Sequence, residues 1–453
     1  MKRIFTLVLP VIFSMIICVG LLFLTSLIPK SAIEKNCKDS AAFYMKNELF
    51  DSVFDGYFFT KQDNYADCIL NNVIYHIDEK HPVVSSLKAS YYNPKIENVN
   101  DSFIKAVSEN EIKDKAENTV DYYRYWHGSM VFLRPLFVFL NIVQIRMLLG
   151  VLAIMGGLLS VLVLCLQNRR AMAVCYLFSM LFVDIWMTCF CIEYVTTFLV
   201  LNGVMLVLLR KLSKGKEITE KSFFPLFAIS GVVTAFVDFL TTETITFSVP
   251  VFILLVYLFE SGRLSKIKDS FIFLIQNGIS WMLGYASMFL LKWFISAILF
   301  GKAAMLNSLS QAAVRIKGEV NLGQNNMDPV ADKSQQLLGA WWHNLGCLYH
   351  IKDTLNEGTI FLTSFLIILI AFGLIYLFHT KRIEGAFLLP AVVLFFLPFL
   401  RYLVLSNHSY LLYFFTYRAM LISVFIFLYL IWEYALMGIF KLVCHKKTKK
   451  KRS

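Results

Sequence analysis

Charge is scarce in this chain. Only 16% of its 453 residues are Asp, Glu, Lys or Arg, where a soluble domain carries about 25%. Hydrophobic residues make up 58%, Phe alone fills 42 positions, and the mean hydropathy is +0.63. This balance excludes an ordinary soluble domain and points to a polytopic membrane protein. Glycine and proline are also sparse, at 21 and 10. No matched pair of Gly/Pro-broken apolar segments is visible, as transport through discontinuous helices would require. Walker A, the dinucleotide-binding glycine fingerprint, GxSxG and HExxH are all missing. Their absence argues against an ATPase, a dehydrogenase or a metalloprotease. Cysteine adds little. Cys18, Cys165, Cys175, Cys189 and Cys191 fall in apolar runs, where thiols behave as small hydrophobes. No CxxC or zinc-ligand spacing occurs.

The net charge of +12 is a matter of topology. The polar segment 30–128 holds 16 acidic and 12 basic residues, so it is net negative. The positive charge sits in short loops and at the C-terminus, which argues for orientation and against a nucleic-acid face. Apolar runs are expected to span at about 4–28, 147–166, 171–190, 192–210, 222–240, 246–260, 271–291, 359–378, 384–404 and 411–438. The expected fold is therefore all-α, with about ten transmembrane helices and a long outer loop after the first. Arg169-Arg170, the stretch Arg210 to Lys221, Arg263 to Lys268, Lys381-Arg382 and the tail from Lys441 to Arg452 fall on one side. That side is expected to be cytoplasmic, with both termini there and the chain in the cell membrane. The expected organisation is 1–29 first helix, 30–146 outer loop, 147–291 helices, 292–358 second outer loop, 359–438 helices and 439–453 basic tail. Cys444 would be inside. Cys37, Cys68 and Cys347 would be outside, where an oxidising compartment permits a Cys37–Cys68 bridge.

The outer loop contains one clear helix signal. Ala66, Ile69, Leu70, Val73, Ile74 and Ile77 recur at helical spacing. Asp63, Asp67 and Asn71 lie on the opposite flank. Two readings stay open for the carboxylates. Asp63 sits where an N-cap belongs and Asp67 favours the positive end of a helix. Alternatively, one of them is the general base that a sugar-acceptor hydroxyl needs to become a nucleophile, with Asp63 slightly favoured.

Next comes Asp121-Tyr122-Tyr123-Arg124-Tyr125-Trp126-His127-Gly128, followed by Arg134-Pro135. Aromatics at a membrane surface form an interfacial belt. That belt does not require Arg124, His127 and Arg134 among them. Tyr125, Trp126 and His127 suit the face of a sugar, and arginine suits a phosphate. Asp238-Phe239-Leu240-Thr241-Thr242-Glu243-Thr244 ends the fifth span. It is either an ordinary polar loop or a site for hydroxyls or a hydrated cation. Arg401-Tyr402, Asn407-His408-Ser409-Tyr410 and Tyr413 to Arg418 form the last outer hairpin. Arg418 falls roughly 12 Å into an apolar helix by helix rise. A charge at that depth calls for an anionic partner, such as a lipid phosphate, Asp184 or Glu193.

The chain resembles the GT-C superfamily of integral membrane glycosyltransferases in layout: a first helix, a long acidic outer loop, then many spans with short inner loops. Its local strings resemble a group of bacterial multi-pass proteins with that layout. They are Asp63-Asn64-Tyr65-Ala66-Asp67, Tyr125-Trp126-His127-Gly128, Arg134-Pro135, Asp238-Phe239-Leu240-Thr241-Thr242, Asn407-His408-Ser409 and Phe415-Thr416-Tyr417-Arg418. The paired Asp-Glu frequent in that loop of the superfamily is not matched there; Asp78-Glu79 reads as a solvated turn. The resemblance implies a polyprenyl-phosphate-linked sugar donor, catalysis on the outer face, and Asp63 or Asp67 at the catalytic centre. The expected reaction passes the sugar to a cell-envelope glycan. Arg124, Arg134 and Arg418 would hold the leaving phosphate, and Asp238, Arg401 and His408 would join the substrate site. A divalent metal ion is compatible with this reading but not required, because arginines can do its electrostatic work. A transporter or flippase of lipid-linked sugars, and a scaffold for envelope assembly, are the alternatives.

Overall fold

The computed structural model describes residues 2–93, 99–108, 118–214, 220–317, 333–352, 357–379 and 384–436. Lys381-Arg382 and the basic tail lie outside the described residues. The fold is all-α apart from one two-stranded ribbon.

The first apolar run forms α1 (Lys2–Ser26). The polar segment that follows is itself folded. It contains α2 (Lys30–Tyr44), α3 (Asn64–Tyr75), α4 (Pro82–Lys88) and α5 (Val99–Ser108). Strands β1 (Tyr91–Tyr92) and β2 (Thr119–Val120) pair antiparallel between them, with Tyr91 opposite Val120. The apolar stripe of α3 drives this packing. Ile69, Leu70, Val73, Ile74 and Ile77 are all buried, each worth about 1.5–3 kcal/mol when fully removed from water. The opposite flank differs from expectation. Asp63, Asp67 and Asn71 are buried too: two long helices close over Asp67, and Asn71 Nδ2 donates to the Tyr44 hydroxyl of α2 at 2.8 Å.

Those helices begin after α6 (Met130–Phe137), the short apolar stretch that is too brief to span. α7 (Ile142–Leu166) opens on a reciprocal Asn141–Gln144 capping box. α8 (Arg170–Phe182) ends early, and a 3₁₀ turn at Ile185–Cys189 leads into α9 (Ile192–Ser213). The expected span 171–190 is thus a shorter helix plus a tight corner. α10 (Phe224–Val237), α11 (Ile245–Glu260) and α12 (Ile267–Phe300) follow. α12 continues past the expected end near 291. After it come α13 (Lys302–Lys317), α14 (Lys333–Leu348), α15 (Glu357–His379) and α16 (Gly385–Val404). The final apolar run is not one helix. It is divided into α17 (Ser406–Leu411), α18 (Tyr413–Thr416), a 3₁₀ turn at Tyr417–Met420 and α19 (Leu421–Leu430).

Six helical stretches among the described residues are long and apolar enough to cross a bilayer: Val8–Ser26, Ile142–Leu166, Ile192–Ser213, Ile267–Phe300, Gly385–Val404 and Tyr413–Tyr434. Arg170–Phe182, Phe224–Val237, Ile245–Glu260 and Gly358–Ile370 are shorter apolar helices. α10 and α12 cross closely because small residues meet at the contact. A Cβ at Gly231 would strike the Trp281 carbonyl, and one at Gly284 would strike that of Ala228.

The polar segment covers one end of the bundle. Arg134 donates to the carbonyls of Ile28 and Ile74, joining the end of α1 to the end of α3. Gly128 N donates to Phe236 O at 2.9 Å, at the end of α10. Lys292 Nζ on α12 donates to Leu87 O at 2.5 Å. These ties place the C-terminal ends of α1, α10 and α12 beside the first turns of α7 and α9.

Candidate functional site

Between the start of α3, the first turn of α9 and the corner after α10, the structure forms a cavity of about 110 Å³. Asp63 and Tyr65 reach it from the start of α3, and Tyr91 from the ribbon. Tyr122, Arg124, Tyr125 and His127 form a second wall. Glu193 comes from the first turn of α9, Phe239 from the corner after α10, Arg315 from α13 and His408 from α17. Residues far apart in sequence thus line one polar space.

Asp63 is the N-cap of α3, and its Oδ1 accepts the Ala66 N–H at 2.8 Å. It also shares a hydrogen bond with Glu193. Burial pushes the Asp63 carboxyl up to about 6; the Asp67 charge adds to that, while the bonds from Ala66 and Glu193 and the Arg146 charge oppose it. A carboxylate in a dry site with its proton affinity raised toward neutrality is suited to accept a proton. Capping and proton transfer are therefore compatible roles for one residue.

Asp67 sits differently. Its Oδ2 pairs with Arg146 Nε at 2.8 Å, and both side chains are buried. Both of its oxygens accept the Ile192 N–H, at 3.1 and 2.9 Å. Arg146 Nη2 also donates to Asn64 Oδ1 at 2.9 Å. The carboxylate is fully engaged in joining α3, α7 and α9.

Both cavity histidines are neutral. Burial, and then the Lys292 charge, push His127 down to about 3. Burial, and then Arg401 and Arg315, hold His408 well below the usual imidazole range. Arg124 lies over the Tyr122 ring at 4.1 Å, and Arg315 lies 5.5 Å from the centre of the Tyr125 ring. Neither arginine has a carboxylate within ion-pair distance among the described residues. His127 Nδ1, His408 Nδ1, Arg124 Nε, Arg315 Nε and Glu193 Oε2 have no hydrogen-bond partner among those residues. Buried polar groups are normally satisfied, so five unpaired atoms on one cavity mark a site for a polar guest. Across this space two arginines face a proton-sharing carboxyl pair. Among the described residues no group of His, Cys, Asp and Glu is arranged to hold a metal ion.

Of the residues singled out from sequence, Asp63, Asp67, Arg124, Tyr125, His127 and His408 line the cavity. The others lie elsewhere. Trp126 is fully buried and donates through Nε1 to Met288 O at 2.8 Å. Arg134 is committed to the Ile28 and Ile74 carbonyls. Asp238 caps its own corner through the Leu240 and Thr241 N–H groups. Arg401 pairs with Glu243 at 2.8 Å and also bonds Ser409. Arg418 has no carboxylate within ion-pair distance among the described residues: it donates to Phe414 O and Phe59 O and packs over Tyr194 and Tyr417. One carbonyl lies on α18 and the other in the polar segment; Arg418 Nε has no hydrogen-bond partner among the described residues. Cys37 and Cys68 are buried free thiols, without the bridge their compartment would permit.

Sequence reading left Glu193, Arg315 and Arg146 out of the site. Arg146 carried a local signal, since a charge in the first turn of a long apolar run needs a partner. Arg315 carried none. No protein-family model matches the chain, and no curated protein or solved structure is significantly similar to it.

Proposed function

We propose that this protein is a membrane glycosyltransferase that moves a sugar from a polyprenyl-phosphate donor to a cell-envelope glycan on the outer face. About ten helices cross the membrane in this reading, counting the four shorter apolar ones, and both termini are cytoplasmic. The observation that carries it is the cavity: a buried carboxyl near neutrality, two arginines without carboxylate partners among the described residues, and walls of tyrosine and neutral histidine.

Asp63 takes the proton of the acceptor hydroxyl. The hydroxyl oxygen bonds to the anomeric carbon as the bond from that carbon to the phosphate oxygen breaks. The electron pair leaves with the phosphate, whose new negative charge Arg124 and Arg315 stabilise. The His127 and His408 Nδ1 atoms bond hydroxyls, and Tyr122 and Tyr125 offer aromatic faces. An apolar groove of about 600 Å³ supports the lipid part of the donor. It is lined by Met15, Leu290, Trp293, Phe294, Met305 and Leu309. One of its lining residues, Trp293, donates through Nε1 to Arg124 O at 3.2 Å.

The test is mass spectrometry of envelope glycans and polyprenyl-linked sugars in wild-type, deletion and Asp63→Asn cells at equal expression. One sugar is expected to vanish from the glycan in both mutants while its lipid carrier accumulates. An Asp63→Asn strain with normal glycans would sink the reading.

A further inference from the structure

Asp67 reads from sequence as the slightly less favoured alternative to Asp63, and the structure gives it a different surrounding. Its carboxylate faces the first backbone N–H of α9, one residue before Glu193. It is held from behind by Arg146 of α7, itself tied to Asn64. Cys191 Sγ also approaches both sides of this junction, 3.7 Å from Asp63 O and 3.6 Å from Asp67 Oδ1. Arg146 is boxed in by the rings of Phe43 and Tyr44, at 5.3 and 5.8 Å. The hydrogen bonds of the pair join three elements: α3, α7 and α9.

We propose that Asp67 and Arg146 are a positioning pair. Asp67 clamps the start of α9 so that Glu193 meets Asp63 across the cavity, and the pair places one fixed negative and one fixed positive charge behind that meeting point. The inference rests on Asp63 being the base of the cavity. The charged groups facing Asp63 are Asp67 from its own helix, Arg146 from α7 and Glu193 from α9. Arg124 and Arg315 stand across the cavity, and the cavity histidines are neutral. Asp67 pushes the proton affinity of Asp63 up and Arg146 pushes it down, so the two act in opposition on one carboxyl.

That opposition makes the proposal testable without any sugar. The full chain in lipid nanodiscs is titrated by infrared spectroscopy, and the Asp63 carbonyl band is isolated by difference against Asp63→Asn. The wild-type midpoint is expected near 6. Asp67→Asn keeps an oxygen for the Ile192 N–H but loses the charge, and is expected to lower the midpoint. Arg146→Gln is expected to raise it. Each shift should be on the order of one pH unit, with Asp67→Asn/Arg146→Gln between the two. Glu193→Gln should move the midpoint in wild type and move it less in an Asp67→Ala background, where the clamp is gone. If one single variant does not fold, the other and the neutral double variant decide. Midpoints that stay put, or move the same way in both single variants, overturn the proposal. Sugar transfer is assayed separately. A titration that moves as expected in a protein that transfers nothing would remove the function and leave the positioning pair standing.

Discussion

Asp63 has two duties that substitution can separate. Asn caps a helix about as well as Asp, so Asp63→Asn keeps the Ala66 bond and removes only the proton acceptor. Transfer is expected to fall by about 10²–10⁴-fold, the usual share of a general base, with the melting temperature nearly unchanged. Initial rates and a thermal melt on the same preparation check this; an Asp63→Asn protein that transfers at the wild-type rate would leave the residue only its role as a cap. Arg315 is the second residue-scale case. Loss of a charged hydrogen bond costs about 1.5–3 kcal/mol, so Arg315→Gln should weaken polyprenyl-phosphate binding by about ten- to a hundredfold. Binding of the lipid phosphate to the purified chain measures this directly, and unchanged affinity would place the anion elsewhere. The contrast between Asp63 and Asp67 lies at this scale too. Both are acidic residues at the start of one helix, four positions apart, and only the neighbours brought in by α7 and α9 tell them apart.

At the level of elements, the fold depends on a few buried ties between the polar segment and the bundle. Arg134 is fully buried and serves two carbonyls that terminate α1 and α3. Arg134→Met would leave both carbonyls unsatisfied at about 1–3 kcal/mol each. The expected result is a clear loss of thermal stability with little change in turnover per folded molecule. A selective loss of turnover would instead put Arg134 in the site. The α10–α12 crossing gives a second case. Gly284→Val must force the helices apart, because the Ala228 backbone fills the space a side chain would need. Lower expression and melting temperature are expected, with Gly203→Ala as a control, since that position is open. The last apolar run teaches a related point. Its hydropathy is continuous, yet the helix breaks around Tyr417–Met420, and Arg418 there bonds the Phe414 and Phe59 carbonyls.

For the molecule as a whole, pH sets function and stability against each other. Asp63 must be ionised to act as base, so activity should fall as pH drops through about 6. Its proton affinity is raised in the folded state above the ordinary value of 3.8. The contribution to stability is therefore fully present below about 3.8 and is lost as pH rises through about 6. A rate profile and a melt series between pH 4 and 8 should slope in opposite directions. His127 and His408 remain neutral throughout, so no second step is expected from them; a histidine-like step near 6.5 that disappears in His127→Gln would contradict the burial argument.

The sequence by itself determined the all-α class, the presence of several apolar helices long enough to cross a membrane, and the α3 stripe. It also placed Asp63 at a helix start and put Arg124, Tyr125 and His127 in one short string. These signals are local: hydropathy over a window, a helical repeat, a cap. Tertiary structure alone decided that Glu193 and Arg315 join Asp63 in one cavity. It also decided that Asp67 is spent on Arg146 and Ile192, and that Trp126, Arg134 and Arg418 serve packing. Those outcomes turn on contacts between residues dozens to hundreds of positions apart. Whether a buried charge is free for chemistry depends on which partner the packing brings within about 3 Å, and helical periodicity carries no record of that.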